Sequence, residues 1–352
     1  MQRLERTVRD LARTVRGDSA TQPRFSVDAL QSRLGEQGQL VEYLEVDGAL
    51  AAVVVSARRC TLRRLCAVAD VAPVLELALF SLTRLAREGA SEASRAASIA
   101  SLSDSLDELD ELLIRPLRLG DTAVVIVPTG VLHNMPWGGL PTLRTRPTSV
   151  ATSATRWSPP PARSDPSATV GLITGPGLSD AAEELVMVAA SYRSTESLVG
   201  DDATVVASLA LLDRSHTAHM ACHGHFRRDS PMFSSLILAD GPLTVYDLES
   251  LATPPTLVVL PACNAGSATV SVGDELIGTA SALLGTGVRS VIAPMTVVND
   301  AATVVVMATL HRHLSEGSSP SESLARTRTD LARRADADPA ALAAAWSFLC
   351  LE

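Results

Sequence analysis

The chain has 352 residues, 46% of them apolar, and a formal net charge of −9. That length accommodates one large or two ordinary domains with a sizeable core. The acidic balance argues against a nucleic-acid partner gripped through its phosphates. Every basic residue is arginine and only 3% of residues are aromatic, so Ala, Val and Leu must fill the interior. The five cysteines, Cys60, Cys66, Cys222, Cys263 and Cys350, are odd in number and form no CxxC pair. They read as free thiols in a reducing compartment, and the expected location is cytoplasmic. The N-terminal residues are charged and carry no apolar h-region, so no secretory signal is expected there. No long apolar run escapes a charge or a breaker, so no membrane span is expected either.

In chain order, Leu4, Val8, Leu11 and Val15 share one face of a helix over 1–17. Residues 18–38 are polar and read as loop. Two β-rich runs, VEYLEV and ALAAVVVSA, flank Asp47-Gly48, a strong hairpin signal. Residues 72–114 read as helical, interrupted by the Gly/Ala/Ser-rich stretch 89–104. AVVIVPTG (123–130) reads as a buried strand, and LHNMPWGGLP as an irregular apolar loop in which His133 and Trp137 pack. The Pro/Ser/Thr-rich stretch 144–168 is the best candidate linker. Strand 169–174, helix 180–192, helix 202–213 and strand 217–221 follow, then a hairpin over 233–244 and a short helix to 252. Strand 256–262, helix 275–286, strand 288–293, helix 300–316 and a last helix 320–334 complete the pattern. Alternating strands and helices predict an α/β fold, a mostly parallel sheet covered on both faces.

Two strand ends carry the chemistry. Thr217–Gly224 ends on His223 and Gly224, and Thr256–Gly266 delivers Cys263 forty residues after His223. Carboxyl ends of neighbouring parallel strands line one crevice, where a histidine could activate a thiol. Taken alone, Cys263 is better explained as a small core residue. His219, Cys222, His223 and His225 within seven residues invite a zinc site. Strand alternation puts His219 and His223 on one face and Cys222 on the other, and no second ligand cluster is evident, which disfavours metal. His219 reads as buried and structural. GLITGPG (171–177) does not match a dinucleotide-binding GxGxxG motif.

Together these segments resemble the CHAT domain, a bacterial module of caspase- and separase-like cysteine peptidases. The resemblance rests on HMACHGHF, on Ser234-Ser235-Leu236 and Leu238 before Ala239-Asp240-Gly241, on LVVLPAC and on GDELIGTASALLGTGVRSVIAP. Upstream, VEYLEV and IVPTGVLHNMPWGGLP resemble the N-terminal half of the family, so the resemblance spans about 40–352. A His roughly 50 residues before the Cys is also the caspase order. The resemblance implies a degenerate caspase-like half at 39–150, a linker at 151–166 and a catalytic half at 167–352, with 1–38 preceding them. It further implies Cys263 as nucleophile, His223 as general base and acid, and the N–H groups of Gly224 and Cys263 as oxyanion hole. No cofactor or metal is implied. Asp274 and Glu275 read either as a helix N-terminus, with Asp274 its cap, or as pocket carboxylates for a basic substrate side chain. Asp300 has the same capping reading. Pro261, Ala265 and Pro294-Met295-Thr296 depart from the pattern, which bears on pocket shape rather than on the dyad.

The expected function is therefore a CHAT-type endopeptidase acting on a protein or peptide substrate through a thioester. An activating protein partner and a role in bacterial defence or signalling go with that expectation. Two alternatives stand beside it: a catalytically silent interaction module, and a Cys-His amidase or acyltransferase acting on a small molecule.

Overall fold

The computed structural model describes residues 26–36, 38–87, 89–159, 168–178, 181–225, 231–261, 280–334 and 338–352. The expected helix 1–17 lies outside them. Within 18–38, expected as loop, residues Val27–Leu34 form helix α1. Ser26 caps it by accepting from Ala29 N–H at 3.3 Å, and Leu30 and Leu34 give it a buried edge.

Strands β1 (Gly38–Val46) and β2 (Ala49–Ser56) form the expected hairpin, Val46 opposite Ala49. Asp47 (φ 52°) and Gly48 (φ 75°) both take positive φ, as a tight two-residue hairpin turn requires. A third strand, β3 (Arg59–Ala67), extends the meander and was not anticipated, because its arginines hide the β pattern. Helices α2 (Val68–Ala86) and α3 (Glu92–Leu113) follow. The expected interruption at 89–104 is thus a short break: Ser91 caps α3, and the Ala/Ser-rich stretch after it is helix.

Strand β4 (Ala123–Val127) leads to short 3-10 turns at Gly130–Asn134 and Trp137–Gly139. Trp137 is fully buried against Tyr43, ring centroids 5.4 Å apart. Strand β5 (Thr148–Val150) falls inside the stretch read as linker, yet it is a buried member of the sheet.

The remaining strands are β6 (Val170–Thr174), β7 (Thr195–Leu198), β8 (Thr217–Ala221), β9 (Gly224–His225), β10 (Ser235–Leu238), β11 (Gly241–Thr244), β12 (Leu257–Val259), β13 (Ser290–Pro294) and β14 (Phe348–Leu351). The helices among them are α4 (Ala181–Ala189), α5 (Val205–Leu212), α6 (Val245–Leu248), α7 (Asp300–Ser315), α8 (Pro320–Arg333) and α9 (Pro339–Ser347), with residues 280–285 also helical. Four of these had no counterpart in the sequence reading: β7, β9, α9 and β14.

Eleven strands form one sheet in the order β3-β2-β1-β4-β5-β14-β13-β12-β8-β6-β7, and β11-β10-β9 form a small second sheet. From β1 to β14 the neighbours are parallel, from β13 to β7 they are parallel again, and the two blocks meet antiparallel at β14/β13. The fold is the expected α/β architecture. One face is covered by α2, α3, α5 and residues 280–283, the other by α1, α4, α7 and α8, with α9 reaching both cores.

Arg328 on α8 is fully enclosed. Its Nε donates to the Ala345 carbonyl (3.1 Å) and its Nη2 to the Phe348 carbonyl (2.8 Å), while burial pulls its pKa down to about 10. Gly138 makes room for it: a Cβ there would overlap the guanidinium. Gly138→Ala should therefore destabilise the protein by about 1–3 kcal/mol, read as a lower urea midpoint at unchanged slope. A midpoint equal to wild type would show that the guanidinium shifts freely.

Candidate active site

Strand β8 is buried along its length and sits between β6 and β12, parallel to both. Successive strands diverge here: the chain leaves β6 outward to β7, then returns to β8 on the opposite side. Such a switch point, at strand carboxyl ends, is where open α/β sheets form binding crevices.

His223 stands two residues past the end of β8 and is half-buried. Its carbonyl accepts from Ile237 N–H at 2.9 Å, which ties it to β10. Gly224, buried at the start of β9, pairs with Leu236, so the expected His-Gly pair stays together. The loop after β6 comes up beside the imidazole. Gly175 N–H donates to the Ala221 carbonyl at 2.9 Å, and a Cβ on Gly177 would sit 3.5 Å from His223 Nε2. Gly177 has φ +82°, a backbone conformation that favours glycine there. The TGPG segment, set aside in the sequence as a failed nucleotide motif, is thus a wall of the His223 site. Its signal was a Gly-Pro-Gly turn at a strand's carboxyl end.

Cys263, Asp274 and Glu275 lie outside the described residues. The described part of their approach is β12 followed by Leu260, whose N–H donates to Ile292 at 2.8 Å, and by buried Pro261. Pro261, Ala221, Leu178, Ala181, Glu184, Asp300 and Thr303 line a cavity of about 20 Å³ at the strand ends, roughly the room of one water. Asp300 does not cap α7: Asn299 does, accepting from Ala302 N–H at 2.9 Å. Cys222 is buried in the opposite core, and burial pushes its thiol up to about 12, which keeps it protonated at neutral pH.

His219 is buried, as expected, and it has partners that no local motif announces. Its Nδ1 lies 3.0 Å from His311 Nε2 on α7, and His311 Nδ1 lies 2.8 Å from the Tyr192 hydroxyl. On the other side, His219 Nε2 is 2.8 Å from Glu184 Oε1 on α4, a close ionic contact in which the N–H is not aimed as in a hydrogen bond. Burial first, and His219 second, hold His311 well below the ordinary histidine range. Burial also raises the Tyr192 hydroxyl, so it stays protonated. The sequence separation of these residues, 119 positions between Tyr192 and His311, explains why they were missed.

The model of the CHAT domain family matches residues 103–351, well over half of the chain. The chain belongs to the CHAT domain family. Among curated proteins no sequence matches it. A chain of the Saccharomyces cerevisiae separase–securin complex, in a 2.6 Å crystal structure, superposes with a TM-score of 0.61 at 10% identity, covering 92% of this chain and 31% of that one. The same complex at 3.0 Å gives 0.63 at 11% identity with the same coverage. The complex of the Porphyromonas gingivalis RgpB pro- and mature domains gives 0.43 at 11% identity, covering 79% and 75%. The chain thus spans about a third of the length of the yeast chain and shares its caspase-like fold. Among the described residues, no helix is long and apolar enough to cross a membrane.

Buried His311 sets a pH dependence. Native His311 refuses a proton that the unfolded chain accepts below about pH 6.5. The unfolded state then binds more protons, so stability falls as pH drops through that value toward the depressed native pKa. His311→Phe should cost about 1–3 kcal/mol at pH 7.5, because it strips partners from buried polar atoms. It should also flatten the loss between about pH 6.5 and 5. Urea midpoints across that range check both; an unchanged acid slope would mean that other groups dominate it.

Proposed function

We propose that this CHAT protein is a cysteine endopeptidase with Cys263 as nucleophile and His223 as general base and acid. One observation carries the reading. In the parallel β8–β12 ladder Val259 is level with His219, and Cys263 and His223 each follow four residues later. Two chains leaving adjacent strands in step bring reactive groups to one crevice.

In this reading the Cys263 thiol gives its proton to His223 and the sulfur attacks the substrate carbonyl. The N–H groups of Gly224 and Cys263 stabilise the oxyanion. The C–N bond breaks, the leaving amine takes the proton from His223, and a thioester remains. His223 then takes a proton from water, hydroxide character adds to the thioester, and the carboxylic acid leaves as the thiol regains its proton. Asp274 and Glu275 are assigned to substrate binding, since both follow the nucleophile on the same connection. The chain is read as two caspase-like halves, 39–150 and 167–352, joined by 151–166. The substrate is a protein or peptide, and cytoplasmic work in bacterial defence or signalling fits a module that an activating partner turns on.

The test is labelling with acyloxymethyl-ketone peptides that carry Arg or Leu before the warhead. Wild type should label, Cys263→Ala should not, and His223→Ala should label at least about a hundredfold more slowly. An Arg preference that Asp274→Asn or Glu275→Gln removes would support the pocket assignment. Absence of labelling, even with lysate of the source cell added as activator, would favour a catalytically silent interaction module.

A further inference from the structure

Strand β3 ends the large sheet, so one edge of its nine residues has no neighbour among the described strands. Residues 57–69 carry four arginines, Arg58, Arg59, Arg63 and Arg64, and no acid, in a chain whose net charge is −9. Arg58 pairs with Glu36 at 3.1 Å. Arg59, Arg63 and Arg64 make no ion pair or side-chain hydrogen bond among the described residues, and the strand β2 positions opposite them are Ser56, Ala52 and Ala51. Charges on an edge commonly serve to repel stray strands. That purpose does not account for Leu62, which stands 61% exposed in the middle of this edge. Nor does it account for Leu44 and Val46, 38% and 63% exposed on the same sheet face. Leu62 and Arg64 share that face, while Arg59 and Arg63 point to the other.

We propose that β3 is a docking edge for an acidic, extended segment of a partner protein, which adds to the sheet as a further strand. Backbone pairing would supply affinity, and side chains directly opposite would supply selectivity. The pattern calls for carboxylates opposite Arg59, Arg63 and Arg64 and an apolar side chain opposite Leu62. The proposal does not depend on the chain being a peptidase, since the edge lies at the far end of the sheet from β8.

The test uses the full chain and a fluorescent peptide of about nine residues, matched to β3, with Glu at the positions facing Arg59, Arg63 and Arg64, Val facing Leu62 and Thr elsewhere. Anisotropy should show one-to-one binding at low salt that weakens as salt rises. Replacing each Glu by Gln should weaken binding about tenfold. Two further peptides carry N-methyl groups on alternate amides, each blocking one backbone edge. Strand addition predicts that one methylated peptide fails and the other binds. The double variant Arg63→Glu/Arg64→Glu should lose binding at unchanged thermal midpoint. Equal binding of both methylated peptides, or no binding of the parent at low salt, overturns the proposal. Tighter binding of a single-stranded oligodeoxynucleotide through the same arginines overturns it as well, since that marks a general polyanion surface. The methylated pair keeps the question decidable on wild type if the double variant does not fold.

Discussion

The last four residues before the C-terminal glutamate hold the sheet together. β14 lies between β5, its parallel partner, and β13, its antiparallel one. A strand in that place must pair its backbone groups on both sides, because unpaired groups buried in a core are costly. Its first carbonyl, on Phe348, receives the buried Arg328 guanidinium, a group the core could not accept without such acceptors. The side chains of β14 alternate between the two cores, Leu349 and Leu351 into one, Phe348 and Cys350 into the other. One short segment therefore closes both layers of the protein.

The reversal at β14/β13 decides which edge of the sheet carries the candidate site. The strands from β13 to β7 run in one direction and send their carboxyl ends to a single edge. The strands β1, β4 and β5 run the other way and open on the opposite edge. Only the first group presents the β6/β8 switch point with its Gly-Pro-Gly turn and His223. The second group supplies buried surface such as Trp137 on Tyr43, a stacking of apolar bulk rather than a reactive arrangement.

What could be read from the sequence follows from how local each determinant is. Asp47-Gly48 specifies its hairpin by backbone conformation alone, and the apolar runs of β4, β6, β8, β12 and β13 announce buried parallel strands. The misses share a different cause. β3 is a strand because β2 pairs with it, while its own residues carry charge at both faces. β5 and β14 are three and four residues long, and each becomes a strand only through partners far away in sequence. Helix α9 is Ala-rich and nearly uniform, so it has no apolar stripe to recognise, and it forms behind Asp338, which caps it by accepting from Ala340 N–H at 3.0 Å. In the candidate site, the place of His223 and Gly224 at the carboxyl end of β8 was legible because they follow an apolar strand. Glu184, Tyr192 and His311 were not, because their meeting is a property of α4 and α7 packing on the same face.

That packing also bears on the proposed chemistry. Tyr192, His311, His219 and Glu184 stand in one buried polar chain, with successive contacts of 2.8, 3.0 and 2.8 Å. Burying this much polarity contributes little net stability, but it penalises alternatives heavily. A slip of β8 by one residue would put Ala218 or Met220 where His219 stands, leaving Glu184 and His311 buried without their partner. A slip between apolar strands alone would meet no such penalty, since Val, Leu and Ala are nearly interchangeable there. The polar chain thus selects the one register of β8 against β6 and β12. The proposed pairing of His223 with Cys263 depends on that register, because both residues are counted from it.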